Sequence, residues 1–161
     1  MKIIDDYFNI NSVKCLTETI LSKDFPWYYA PAVATEKESD SLYNFYYTHI
    51  VYSNFKPNSQ LFQEFFLPLI EQLEVKSLVR IKVNMYPRTD TVYEHNEHTD
   101  YSYKHKGCIL YLNTCDGYTK IEKTVVNSVE NRIVVFDPSI SHNSSTCSND
   151  RFRLTINFNY F

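Results

Sequence analysis

The sequence predicts an α+β domain in which helices come first and a sheet-rich half follows, its strands buried as in a sandwich or jelly roll. Three observations carry this expectation. Apolar residues recur at helical spacing as far as Glu74, and from Ser77 the period changes to two. The two best alternating stretches also put apolar side chains on one face and chemically varied polar ones on the other.

In the order of the chain, "NSVKCLTETILSKDF" (residues 11–25) sets Val13, Leu16, Ile20 and Leu21 at helical spacing. A first amphipathic helix is expected from a Ser12 cap to about Lys23. "FPWYYAPAVATEKE" (25–38) reads as an irregular segment anchored by its aromatics, with Trp27 in the core. "SDSLYNFYYTHIVY" (39–52) and "NSQLFQEFFLPLIEQLE" (58–74) predict two more helices. The latter shows Leu61, Phe65, Phe66, Leu69 and Leu73 on one face, Asn58 or Ser59 before it, and Pro68 as a kink. Thereafter "RIKVNMYP" (80–87) alternates Ile81, Val83 and Met85 with Lys82, Asn84 and Tyr86. "RFRLTINFNYF" (151–161) alternates Phe152, Leu154, Ile156, Phe158 and Tyr160 with Arg151, Arg153, Thr155, Asn157 and Asn159.

With 161 residues the chain is expected to be one domain, 1–76 a helical support and 77–161 most of a β core. A hydrophobic fraction of 43% excludes a disordered segment. Net charge of −3 and a pI near 5.9 argue against a chain whose main task is gripping nucleic-acid phosphates. Four cysteines without a CxxC pair, and an N-terminus without a signal-like apolar run, predict a reducing, cytoplasmic setting. No apolar run is long enough to cross a bilayer. The cysteines are expected to be buried thiols.

The chemistry concentrates in "YEHNEHTDYSYKH" (93–105), which offers two overlapping ligand pairs, His95-x-Glu97 and His98-x-Asp100. Residues one apart on an extended chain point the same way, so either pair can present an imidazole and a carboxylate to one ion. The one histidine downstream is His142, directly after the strand-like "NRIVVFDP". Two imidazoles and one carboxylate on one face of an ion form the facial triad used by non-haem Fe(II) oxygenases.

H-T-D at 98–100, "CILYLNTCDGYT", "NRIVVFDPSISH" and "RFRLTINFNY", in that order, resemble the 2-oxoglutarate/Fe(II)-dependent dioxygenases. The likeness is nearest to the small prolyl-hydroxylase-like members of bacteria, phages and marine viruses. It implies a double-stranded β-helix, a distorted jelly roll braced by helices on one sheet. It also implies Fe(II), 2-oxoglutarate and O2 as cofactor and co-substrates, with His98, Asp100 and His142 as ligands. The family motif favours His98/Asp100 over His95/Glu97, which leaves His95 at the surface or the substrate mouth and His49 and His105 as ordinary residues.

A last-strand arginine is implied for the far carboxylate of 2-oxoglutarate. Arg153 is favoured over Arg151, because similar proteins carry a stretch like "RLTINFNY" at that arginine. Asn84, Tyr86, Tyr111 and Asn157 are further co-substrate contacts by the same resemblance, or simply polar residues satisfied inside the barrel. Relatives often carry a Gly-Gly turn where this chain has "DGYTKI". The implied activity is hydroxylation of an unactivated carbon, foremost of a peptide or protein, with release of succinate and CO2; a small-molecule substrate is also open. The alternatives are nucleic-acid demethylation, for which Lys104, Lys106, Lys120 and Lys123 would form a basic rim, and a non-catalytic cupin or jelly-roll binding module. A membrane partner is not expected, and for a viral protein the setting would be the host cytoplasm.

Overall fold

The computed structural model describes residues 1–34 and 42–161. Its first strand, β1 (Lys2–Ile4), precedes the first helix, α1 (Ile10–Ile20). The cap of α1 is Asn9 rather than Ser12: its side-chain oxygen accepts from the Asn11 and Ser12 amides at 3.0 and 3.3 Å. Val13, Leu16 and Ile20 are its buried stripe, and the helix stops at Ile20, a turn short of the expected end.

Residues 42–52, expected to be helical, instead contribute β3 (Tyr46–Ser53), and β2 (Tyr28–Ala30) pairs with it from within the segment expected to be irregular. Residues 35–41, shared between those two expectations, lie outside the described residues. The physical reason for β3 is composition. Tyr46, Tyr47, Thr48, Ile50, Val51 and Tyr52 are aromatic or β-branched, and such side chains lose little on a pleated surface but crowd a helix.

A short β4 (Lys56–Pro57) closes a turn onto β3. The third predicted helix is split into a π-helical turn, Phe62–Phe66, and α2 (Leu67–Gln72), with Pro68 in the first turn of α2. Proline there removes one amide donor, and the Leu67 N–H reaches back to the Phe62 carbonyl in the wider spacing.

The remainder is strand, as predicted: β5 (Leu78–Pro87), β6 (Lys106–Tyr111), β7 (Tyr118–Ile121), β8 (Thr124–Asn127), β9 (Ile133–Phe136), β10 (His142–Ser144) and β11 (Phe152–Tyr160). A large antiparallel sheet runs β1-β9-β6-β11-β5-β3-β2, with β4 attached to β3, and a small one runs β10-β7-β8. Four of the large sheet's strands come from the half expected to be helical support.

The two faces of the large sheet have different tasks. Leu154, Ile156, Phe158, Ile81, Val83, Cys108 and Leu110 pack with Val13, Leu16, Ile20, Phe66 and Leu69 beneath the helices. Trp27 packs at the margin of this core. Ile109, Tyr111, Val134 and Phe136 of the large sheet meet Ile121 and Val126 of the small one in a second, inter-sheet core. Three cysteines are buried, but Cys15 is exposed, contrary to expectation. No helix among the described residues is long and apolar enough to cross a membrane.

Candidate active site

The chain from Glu94 to His98 lies beside β10 through two isolated bridges, Glu94 with Ser145 and His98 with His142. The amides of His98 and His142 donate to each other's carbonyls at 2.9 and 3.0 Å, which sets the two imidazoles 4.5 Å apart, centre to centre. Asp100, two residues on, is fixed by its amide to the Pro138 carbonyl at 3.0 Å. Ligand atoms of His98, Asp100 and His142 all lie within 4.8 Å of one another.

Each member is oriented from behind. Nδ1 of His142 donates to the Ile140 carbonyl at 2.9 Å, which leaves Nε2 as its free ligand atom. Asp100 is paired with the Arg80 guanidinium at 3.0 Å and accepts from Asn159 Nδ2 at 2.8 Å. Burial by itself would raise the Asp100 pKa; Arg80 and Asn159 outweigh it and hold the carboxyl at about 2. Burial, reinforced by neighbouring His142, lowers His98 to about 4. At neutral pH this is a carboxylate beside neutral imidazole, the protonation state that a divalent first-row ion requires, so the donor set fits such a metal.

The opposing wall is the polar face of the large sheet. In register, Arg153 of β11 faces Tyr86 of β5, Thr155 faces Asn84, Asn157 faces Lys82 and Asn159 faces Arg80. Arg153 is 1% exposed. It donates to Ser128 Oγ at 2.8 Å, Thr119 Oγ1 at 2.7 Å and the Ser145 carbonyl at 3.3 Å, with the Tyr86 and Tyr111 rings 5.3 and 5.4 Å from its guanidinium carbon. All these partners are neutral. Among the described residues no acid pairs with Arg153. A desolvated cation without an anion marks an anion site.

Gly117 makes room for it: a Cβ there would lie 2.6 Å from Arg153 Cδ and 2.5 Å from the Thr146 carbonyl oxygen. The "DGYTKI" segment therefore seats the arginine, with Thr119 of β7 as one of its acceptors.

The cavity between these walls is lined by His98, Asp100, His142, Arg153, Tyr86, Asn157, Thr155, Lys82 and Tyr46, among others. Of the sequence-predicted contacts, Tyr86 and Asn157 thus reach it. Asn84 and Tyr111 are buried beside it, Asn84 donating to Asn157 and Thr155. Arg151 does not reach it: it precedes β11, is exposed, and lies outside the alternation that was extended to it.

His95 is buried rather than at the surface or mouth, with Nδ1 donating to the Ser144 carbonyl at 3.0 Å and burial lowering its pKa to about 4. His49 and His105 are also buried. Lys120 of the supposed basic rim is paired with Glu94 at 3.0 Å.

Lys82, Arg80 and Asn159 belong to no motif that marks them in the sequence. The available signal was the face itself, since Lys82 occupies the same side of β5 as Asn84 and Tyr86.

Among solved structures, the chain is similar over 99% of its length to a prolyl-4-hydroxylase of Pseudomonas putida, covering 91% of it, with TM-score 0.69 and 13% identity. The fold is that of the 2-oxoglutarate/Fe(II) oxygenases. HygX of Streptomyces hygroscopicus, solved with nickel and 2-oxoglutarate bound, matches with TM-score 0.66 and 10% identity over 98% of this chain and 81% of that one. A Trichoplax adhaerens prolyl hydroxylase, in complex with a hypoxia inducible factor peptide fragment, matches with TM-score 0.59 and 13% identity over 99% and 82%. No protein-family model and no curated protein matches the chain. The two sheets described above are accordingly the two sheets of a double-stranded β-helix, with His98, Asp100 and His142 between them.

Proposed function

We propose that the protein is a non-haem Fe(II)- and 2-oxoglutarate-dependent oxygenase that hydroxylates a carbon of a peptide or protein. One observation carries this reading: a converging His98/Asp100/His142 set shares a cavity with Arg153, a buried cation that no acid among the described residues pairs with. His98, Asp100 and His142 would hold the metal. Arg153 would take the distal carboxylate of the co-substrate, because a planar guanidinium pairs bidentately with a carboxylate and keeps its charge when buried. When bound, the metal with 2-oxoglutarate and dioxygen supplies oxidation of an unactivated carbon, with succinate and CO2 released.

The chain's own residues orient and exclude. Ser128, Thr119 and Ser145 fix the plane of the guanidinium, and Tyr86 and Tyr111 cover it against water. Arg80 and Asn159 keep Asp100 ionised and its carboxylate from rotating. The peptide substrate is supported by the fold shared with prolyl hydroxylases, one of them seen with a peptide. A reducing, cytosolic setting is part of the reading, and four free thiols support it.

The test is anaerobic titration of the native protein with Fe(II) and 2-oxoglutarate. Bidentate chelation of the keto acid gives a visible charge-transfer band, and His142→Ala should abolish it. A folded native protein that binds metal but never shows the band would overturn the reading.

A further inference from the structure

We propose that Lys82 anchors a carboxylate of the substrate, so that the molecule oxidised is an acid rather than a neutral side chain. This rests on the oxygenase reading above and names the class of substrate for the same cavity. The sheet wall carries three cations in two places. Arg80 and Lys82 stand on β5 at the Asp100 side, and Arg153 lies at the other end, level with Tyr86. Four residue steps of strand take Lys82 to Tyr86, about 13 Å along the backbone.

Two of the three have an assigned counter-charge, since Arg80 is paired with Asp100 and Arg153 is reserved for the co-substrate. Lys82 has none. Its ammonium donates to Tyr46 Oη at 3.2 Å and lies 5.3 Å from the centre of that ring, and no acid among the described residues pairs with it.

The side chain is nonetheless open to the cavity, which it lines together with His98, Asp100 and His142. Burial first, then the charge of Arg80, lowers its pKa, and the opposing pull of Tyr86 and Asp100 does not make up the difference. A neutral substrate would leave that ammonium desolvated and unmatched. The charge balance points the same way. With a divalent ion, a dianionic co-substrate, ionised Asp100 and all three cations in place, the cavity remains net positive. A carboxylate reaching the Asp100 side of the metal set would find Lys82 as its donor, with the Asn157 amide opposite it in register.

Such a carboxylate can belong to an Asp or Glu side chain of a peptide or to a free carboxyl terminus. Two pairs of acetylated tripeptide pools separate these sources. One pair has Asp or Glu at the centre against Asn or Gln, both with amidated ends; the other has free against amidated C-termini. Binding is read by protein NMR on zinc-loaded protein with 2-oxoglutarate, and again on metal-free protein.

The acid member of one pair should bind roughly tenfold more tightly than its amide, the scale of one charge-assisted hydrogen bond. The preference should shrink to about twofold or less in Lys82→Met and persist in part in Lys82→Arg. Folding of each variant is checked in the same spectra. Equal binding of acid and amide, no binding by any acid pool, or a preference that survives Lys82→Met overturns the proposal. So does loss of 2-oxoglutarate affinity in Lys82→Met, which would give the lysine to the co-substrate. If native protein fails to bind Fe(II) and 2-oxoglutarate, the oxygenase reading falls, while the comparison on metal-free protein still decides Lys82.

Discussion

Replacing Arg153 by Met tests the cavity at its deep end. The variant keeps an aliphatic stem of similar length and removes the guanidinium that lies against the Tyr86 and Tyr111 rings. A bidentate carboxylate pair consists of two charge-assisted hydrogen bonds, each worth about 1.5–3 kcal/mol. Arg153 is only 1% exposed, so solvent does little to screen the pair. Taking the low end, about 3 kcal/mol in all, and about 1.4 kcal/mol per tenfold change, 2-oxoglutarate affinity should fall by about a hundredfold or more.

Two assays read this. The first is the midpoint of the anaerobic charge-transfer titration. The second is the ligand-induced rise in thermal midpoint, since co-substrate at a hundred times its Kd stabilises native protein by about 2.7 kcal/mol and should hardly stabilise the variant. Arg151→Met is the control. Its side chain is exposed ahead of β11, and about twofold or less is expected. The reasoning is refuted if Arg153→Met stays within about threefold of native, or if Arg151→Met has the larger effect.

The same contacts carry other expectations. Asn159→Leu removes the amide that Asp100 accepts at 2.8 Å and should weaken metal binding by about tenfold to a hundredfold, measured by competition with a chelator; unchanged affinity would assign Asn159 to packing alone. Gly117→Ala puts a carbon against Arg153 Cδ and should raise the apparent Kd for 2-oxoglutarate while metal affinity holds, whereas parallel loss of both would mean general misfolding.

Metal-free protein should lose stability on acidification. His95 and His98 have folded pKa values of about 4 against 6.5 unfolded, so the unfolded chain takes up protons first as pH drops. Stability is then full above about 6.5 and falls toward about 4, on the order of 3 kcal/mol for each histidine. Asp100, lowered from 3.8 to about 2, adds a loss below that range. Urea midpoints at pH 7 and 4.5 check this, and His95→Gln, which does not titrate, should flatten the slope; an identical slope would show that His95 is protonated at no cost.

What was legible in the sequence depended on how many residues decided each feature. β5 and β11 were readable because eight to eleven residues alternate without interruption. β3 was not, since its aromatic and β-branched residues recur at spacings that satisfy a helix face as well as a strand face, and only pairing with β5 decides between them. Of the site, His98, Asp100 and His142 come from a short extended motif and a histidine at the start of a strand, both local signals. Lys82, Arg80 and Asn159 acquire their places through register across β5 and β11, and register is not a local property.

His95 shows how one residue undoes a correct rule. Alternation from His98 puts it on the far side. Yet Glu94 pairs with Ser145 and His98 with His142, so four steps on one strand oppose three on the other. The extra residue is a bulge, and a bulge exchanges the faces of everything beyond it. His95 is thereby turned inward, against Tyr86 and Ser144, while Glu97 remains outside accepting from Ser141 Oγ at 2.7 Å.

The same large sheet must supply both stability and chemistry, and it separates them by face. On the helix side, Leu154, Ile156 and Phe158 bury apolar surface that stabilises the fold. On the cavity side, one residue removed each time, Arg153, Thr155 and Asn159 bury polar groups whose desolvation opposes folding, with Asn157 half-buried among them. The hydrogen bonds of Arg153 to Ser128, Thr119 and the Ser145 carbonyl, and of Lys82 to Tyr46, use neutral acceptors, so they satisfy donors without neutralising either charge. Two cations that no acid among the described residues pairs with, kept on the polar face of one sheet, suit anions that arrive from outside. At opposite ends of one wall they would serve two carboxylates at once, the co-substrate's at Arg153 and the proposed substrate's at Lys82.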